Sequence, residues 1–142
     1  MVVEMNEKII QKLLKLSEKA KNKNEVPVSA IIEKNDKIIS YAYNKREKNN
    51  DILGHAEIIC IKKASKKLKT WKLSGCNLYT NLKPCSMCLE IIKQSRIKNV
   101  YYILDKPKFK KEFNETKIIK YNNLQIETKF QKNLSDFFIN KR

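Results

Sequence analysis

Two short stretches decide how this chain is read: His55-Ala56-Glu57-Ile58-Ile59-Cys60-Ile61 and, thirty positions after the histidine, Lys83-Pro84-Cys85-Ser86-Met87-Cys88. Pro84 suits the first turn of a helix, where its missing N–H would have no partner anyway. Cys85 and Cys88, three apart at that helix start, project on one face. The free N–H groups and positive dipole end there favour thiolates over thiols. Two thiolates and one neutral imidazole offset the two charges of a zinc ion and leave a fourth tetrahedral position for water. Zinc lowers the pKa of such a water from about 15.7 to near 7. Glu57 adds a proton carrier. On a regular helix, residues two apart point about 200° from each other. His55 and Glu57 therefore share a site only if His55 stands at the leading edge, before the backbone turns helical. Leu53-Gly54 just ahead permits that.

Other uses of these residues must be weighed. His55 is the only histidine, so a finger of two cysteines and two histidines is impossible. A closed site would have to recruit Cys60 or Cys76, and neither belongs to a second close pair. Cys60 falls on the apolar stripe of its helix and Cys76 at a strand start, so both are expected in the core. A redox C-x-x-C would follow a βαβ opening, and none precedes Cys85. The reading that remains is an open site holding one zinc ion per chain.

Outward from these stretches, the chain alternates helix and strand signals. Ile9, Ile10, Leu13, Leu14 and Leu16 recur at three- and four-residue spacings and predict a helix over 6–21. Val26 to Glu33 and Lys37 to Tyr43 are β-branched apolar runs joined by Asn35-Asp36, a hairpin signal. Asn44 to Gly54 is a polar loop. A helix follows over 55–69, with Ile58, Ile59 and Ile61 inward. Cys76 to Asn81 is a strand, Cys85 to Ser95 a helix and Val100 to Leu104 a strand. Asp105 to Asn123 is basic and shows no clear period. Leu124 to Phe130 is expected as a last strand, and Leu134 to Lys141 as a closing helix anchored by Phe137 and Phe138. This order implies an α/β sheet, part antiparallel and part parallel, with helices on its faces. The loops ahead of His55 and Cys85 then converge at one edge of the sheet.

Size and composition agree. At 142 residues and 16.8 kDa, one domain over 1–142 is expected. The 42% of hydrophobic residues suffices for a core, and 2 Gly with 3 Pro argue against a many-turned all-β design. No run approaches the roughly 18 apolar residues of a membrane helix, and Glu4 and Glu7 stand where a signal peptide is basic then apolar. A soluble, cytoplasmic protein is expected. The 31 basic residues, lysine except for Arg46, Arg96 and Arg142, outnumber 15 acidic ones and give a net charge of +16. Such a field favours a polyanion such as nucleic acid. Codon bias in an AT-rich genome gives the same enrichment in Lys, Ile and Asn without any partner.

The combination H-x-E…P-C-x-x-C is the signature of zinc nucleobase deaminases. The chain resembles the tRNA adenosine deaminases of the cytidine-deaminase-like superfamily over nearly its whole length. Glu25-Val26-Pro27-Val28, Asn44, Ser95-Arg96-Ile97 and Leu134-Ser135-Asp136-Phe137-Phe138 add to the zinc motif. It departs from that family at Lys83, where a Glu is usual, at Ser29, where a Gly is usual, and at Asp105-Lys106-Pro107-Lys108-Phe109. The resemblance implies a three-layer α/β/α fold with a mixed five-stranded sheet, and a homodimer. It implies conversion of adenosine to inosine at the wobble position of a tRNA anticodon stem-loop. His55, Cys85 and Cys88 would hold zinc, Glu57 would shuttle protons, and Asn44 would hydrogen-bond the base. Val28, Ala56 and Leu82 would wall the pocket. Lys106, Lys108, Lys110 and Lys111, with Phe109 as a stacking ring, are the expected RNA contacts. Two rivals remain: a deaminase of free guanine, cytosine or a nucleoside such as cytidine, and a non-catalytic nucleic-acid-binding subunit with a structural zinc. Glu57 speaks against the second, because a closed structural site has no use for a proton carrier.

Overall fold

The computed structural model describes residues 5–105 and 116–140. The first apolar stripe builds α1 (Glu7–Asn22), which buries Ile9, Leu13, Leu16 and Ala20. Asn6 caps it: its side chain accepts the Lys8 N–H at 2.8 Å, a contact worth about 1 kcal/mol. β1 (Ser29–Lys34) and β2 (Lys37–Tyr43) pair antiparallel as the expected hairpin. Asn35 (φ 51) and Asp36 (φ 63) both take left-handed backbone angles, which a two-residue type I′ turn requires and which Asn and Asp tolerate. α2 (Ala56–Leu68), β3 (Asn77–Leu82), α3 (Ser86–Gln94) and β4 (Asn99–Leu104) follow.

The sheet order is β2-β1-β3-β4, with β3 antiparallel to β1 and β4 parallel to β3. β1 is apolar on both sides because both are covered. Ile31 meets Ile9, Leu13 and Leu16 of α1. Ala30 and Ile32 face the other way, into a core with Ala56, Cys60, Ile61 and Ala64 of α2 and Ile92 of α3. Helices therefore lie on both faces of a mixed sheet. Pairing of Ser29 with Tyr43, and of Ala30 with Thr80, sets the start of β1 beside the ends of β2 and β3. Val28, Asn44 and Leu82 are delivered to that one end.

Two expectations are corrected. The stretch expected as a strand over 124–130 and a helix from 134 is one helix, α4 (Leu124–Asn140). No Gly or Pro interrupts it, and local contacts favour continuation. Asn123 Oδ1 accepts the Ile126 N–H at 3.3 Å, Thr128 Oγ1 donates to the Leu124 carbonyl at 2.8 Å, and Lys132 pairs with Asp136 one turn on at 2.8 Å. With that strand gone, the sheet among the described residues has four strands, not five. The chain divides into two compact units, Met1–Lys110 with the sheet and α1 to α3, and Lys111–Arg142 with α4. Among the described residues no helix is long and apolar enough to cross a membrane.

Candidate metal centre and its cavity

His55 and Cys85 occupy the same structural position, the residue just before a helix. His55 caps α2 with extended angles (φ −78, ψ 139), and Cys85 caps α3 likewise (φ −68, ψ 168). Neither side chain spends itself on a capping hydrogen bond, so both are free to turn inward. His55 at the leading edge is the arrangement that lets Glu57, in the first turn of α2, share its site. His55 Nδ1 lies 3.8 Å from Cys85 Sγ and 3.5 Å from Cys88 Sγ. The three ligand atoms fall within 4.8 Å of one another. Two helix N-termini, each with a positive dipole end, therefore point at one cluster of sulfur and nitrogen.

The thiols titrate as a pair. Cys85 is pulled down to about 3, first by the hydrogen bond from Cys88 and then by that from His55. Cys88 is pushed up, chiefly by the same bond to Cys85 and then by burial. The donor set fits zinc, which takes Cys thiolates and His nitrogen and, with three protein ligands, keeps a place open.

Glu57 is 3% exposed. Burial raises its pKa, against the lowering pull of its own backbone N–H and of Cys88. Its Oε1 is, among the described residues, the one buried side-chain oxygen or nitrogen with no hydrogen-bond partner. An unpartnered buried carboxylate oxygen is costly, and here it faces a cavity. Glu25, Val26, Val28, Asn44, Arg46, Glu47, His55, Glu57, Leu82, Lys83 and Cys85 line that cavity. Cys60 and Cys76 are fully buried in the core instead. Burial pushes the Cys60 thiol up to about 12, and its sulfur lies 3.2 Å from Ser40 Oγ.

Of the expected pocket residues, Val28, Asn44 and Leu82 line the cavity. Ala56 does not; its backbone N–H donates to Asn44 Oδ1 at 2.8 Å. That bond occupies the acceptor end of Asn44 and leaves its Nδ2 as the group able to donate to a ligand. Ser29, where the family usually has Gly, donates its Oγ to the Leu13 carbonyl at 2.7 Å and ties β1 to α1. Lys83 lines the cavity, its Nζ 5.8 Å from the Tyr102 ring. Lys106, Lys108, Phe109, Lys110 and Lys111 lie outside the described residues.

Sequence reasoning missed Glu25 as a working residue. Its buried carboxylate accepts the N–H of Glu47 at 2.9 Å and of Lys48 at 2.8 Å. It thus holds the loop between β2 and α2 over the cavity. The loop is closed further by Lys45 N–H on the Gly54 carbonyl at 2.8 Å. Gly54 is required there: a Cβ would sit 2.6 Å from Arg46 Cα. A carboxylate beside loop residues 22 and 23 positions away leaves no periodic trace, so only its place in the Glu-Val-Pro-Val stretch marked it.

Residues 4–142 match the family described as MafB19-like deaminase. The chain belongs to that deaminase family. The chain is 44% identical to the tRNA-specific adenosine deaminase of Rickettsia bellii over 95 residues, 66% of each protein. The match thus spans just under two thirds of that relative's length. It is 36% identical to the tRNA-specific adenosine deaminase of Buchnera aphidicola over 137 residues, 91% of each. A structure from a study of A-to-I editing by tRNA:A34 deaminases at the wobble position superposes with a TM-score of 0.70 at 32% identity, covering 72% of this chain and 75% of that one. Guanine deaminase from Bacillus subtilis superposes with a TM-score of 0.77 at 27% identity, over 92% and 95%. The fold of this family member is cytidine-deaminase-like, with a mixed sheet and, among the described residues, four helices.

Proposed function

We propose that the protein is a zinc-dependent tRNA adenosine deaminase that converts adenosine to inosine at the wobble position of an anticodon. The observation that carries this is the buried, unpartnered Glu57 oxygen in the cavity that His55 and Cys85 also line, two of the three residues of the His55, Cys85 and Cys88 cluster. The relatives named for tRNA support the substrate, at 44% and 36% identity, and among the superposed structures the one from the tRNA:A34 deaminase study is 32% identical against 27% for the guanine deaminase. On this reading His55, Cys85 and Cys88 would hold one zinc ion. When bound, zinc supplies Lewis acidity that makes a water molecule acidic near neutral pH.

The rest of the chemistry belongs to the chain. Glu57 takes a proton from the attacking water and passes it to the ring nitrogen beside C6. It then takes the second proton of that water, from the new hydroxyl on C6, and delivers it to the departing amine, so that a carbonyl oxygen replaces nitrogen at C6 and ammonia leaves. A carboxyl group acting as base and then acid works best with a pKa raised toward neutrality, and burial moves Glu57 in that direction. Asn44 Nδ2 donates to an acceptor on the base, its Oδ1 being held by Ala56. Val28 and Leu82 flank the ring. The base enters by leaving its stack, which is easiest in a single-stranded loop. Lys106, Lys108, Phe109, Lys110 and Lys111 belong to this reading as RNA contacts. So do a single deaminase domain, since the family match runs over 4–142, a homodimer, and action in the cytoplasm, where tRNA is found.

The test is to incubate the zinc-loaded protein with an anticodon stem-loop carrying adenosine at the wobble position, and separately with guanine, cytosine, adenosine and cytidine. Mass spectrometry should find inosine in the stem-loop and no comparable turnover of the free compounds. Deamination of guanine or cytosine with the stem-loop unchanged would assign the site to free bases.

A further inference from the structure

We infer that the outer edge of the sheet, where β2 runs up to the cavity, is a track for the RNA backbone flanking the target base; this rests on the tRNA deaminase reading above. Tyr41 and Tyr43 stand two apart on β2, so their rings leave the same face. Lysines gather on both. Lys12 Nζ lies 3.7 Å from the centre of the Tyr41 ring, and Lys63 Nζ 5.9 Å from it. Lys63 also donates to the Tyr41 carbonyl at 3.3 Å. Lys23 Nζ donates to the Tyr43 Oη at 2.9 Å, and Lys45 Nζ lies 5.1 Å from that ring. The next residue after Tyr43 is Asn44, already inside the cavity.

None of these lysines forms an ion pair among the described residues. Among the described residues the ion pairs are Lys120 with Glu127 and Lys132 with Asp136, both in the other unit. Glu25, the buried acid on this side, spends both oxygens on backbone N–H groups of the loop. The phenol of Tyr43 is held below its ordinary value, by the Lys23 hydrogen bond first and then by the charges of Lys23, Lys45 and Lys48. Ammonium groups from α1, α2 and the loop after β2 thus crowd one strand edge. Such crowding costs self-repulsion unless a polyanion lies along it. Rings bracketed by lysines are the combination that binds single-stranded nucleic acid, the rings against bases and the lysines against phosphates. A nucleotide whose base enters the cavity leaves its neighbours at the cavity mouth, where this edge begins.

The experiment measures binding of a fluorescent anticodon stem-loop to the full, zinc-loaded chain across a salt series. It compares the native protein with K23A/K45A/K48A and with a control, K62A/K66A/K67A, which removes the same charge from exposed positions of α2. For a single strand, every phosphate that the protein ceases to neutralise makes the log–log salt slope shallower by about 0.7. The edge variant should lose about 2 from that slope and bind at least about tenfold more weakly. Its KM should rise while kcat at saturating RNA holds. The control should stay within about twofold of the native protein, its lysines lying away from the phosphates. Equal losses in both variants, or an unchanged slope in the edge variant, would overturn the inference. If the native protein makes no inosine but its RNA binding is lost in the edge variant alone, the deaminase reading falls and the track stands. If the native protein neither binds nor edits the RNA, both fall.

Discussion

On the proposed reading Glu57 concentrates the chemistry, because no described residue takes up its Oε1, although the atom is buried. A residue kept only for packing would be satisfied or replaced, since an unmet buried oxygen costs about 1–3 kcal/mol. Glu57→Ala should therefore fold, keep its zinc and lose turnover by roughly 10² to 10⁴-fold, the range of general acid–base catalysis. Metal content by mass spectrometry and ammonia release check this together; undiminished ammonia release would reject the role. At this scale the sequence was informative. One histidine and one close cysteine pair left few ways to build a metal site, and the need for Glu57 to share it placed His55 at the start of its helix, where it stands. Asn44 was legible as a cavity residue, but not the division of its amide, with Oδ1 on Ala56 and Nδ2 left over. That depends on a backbone N–H twelve residues away.

Among elements, the loop between β2 and α2 matters most, because it begins at Asn44 and ends at His55. Glu25 fixes it through two backbone N–H groups, which makes Glu25 a positioning residue. Glu25→Ala should retain zinc, raise KM and lower kcat/KM about tenfold, the cost of roughly one charge-assisted hydrogen bond. Glu25→Gln, still able to accept one N–H, should recover part of the loss. Steady-state kinetics of the two variants, with zinc content as control, decide the matter; equal activity of Ala and wild type would exclude the role. The hairpin was legible because Asn35-Asp36 can take left-handed angles that few other pairs tolerate. The end of the chain was not. Leu124, Ile126 and Phe130 suit a strand by composition, and what makes them helical is local hydrogen bonding from Asn123 and Thr128, which a two-residue alternation does not register.

For the whole molecule, the proposed reading links metal and fold, because α2 and α3 present their first turns to one cluster. Zinc at a thousandfold excess over its Kd should stabilise the folded state by about 4 kcal/mol. Chelation should therefore lower Tm by roughly 10 °C, given about 2–4 °C per kcal/mol at this size; calorimetry with and without chelator would show it, and an unchanged Tm would separate metal from fold. The sharpest test concerns the coordination itself. Zinc K-edge absorption of the loaded protein should report two sulfur ligands, one imidazole nitrogen and one further light atom from solvent. A third sulfur, which only Cys60 or Cys76 can provide, or the absence of imidazole, would contradict the account of an open site.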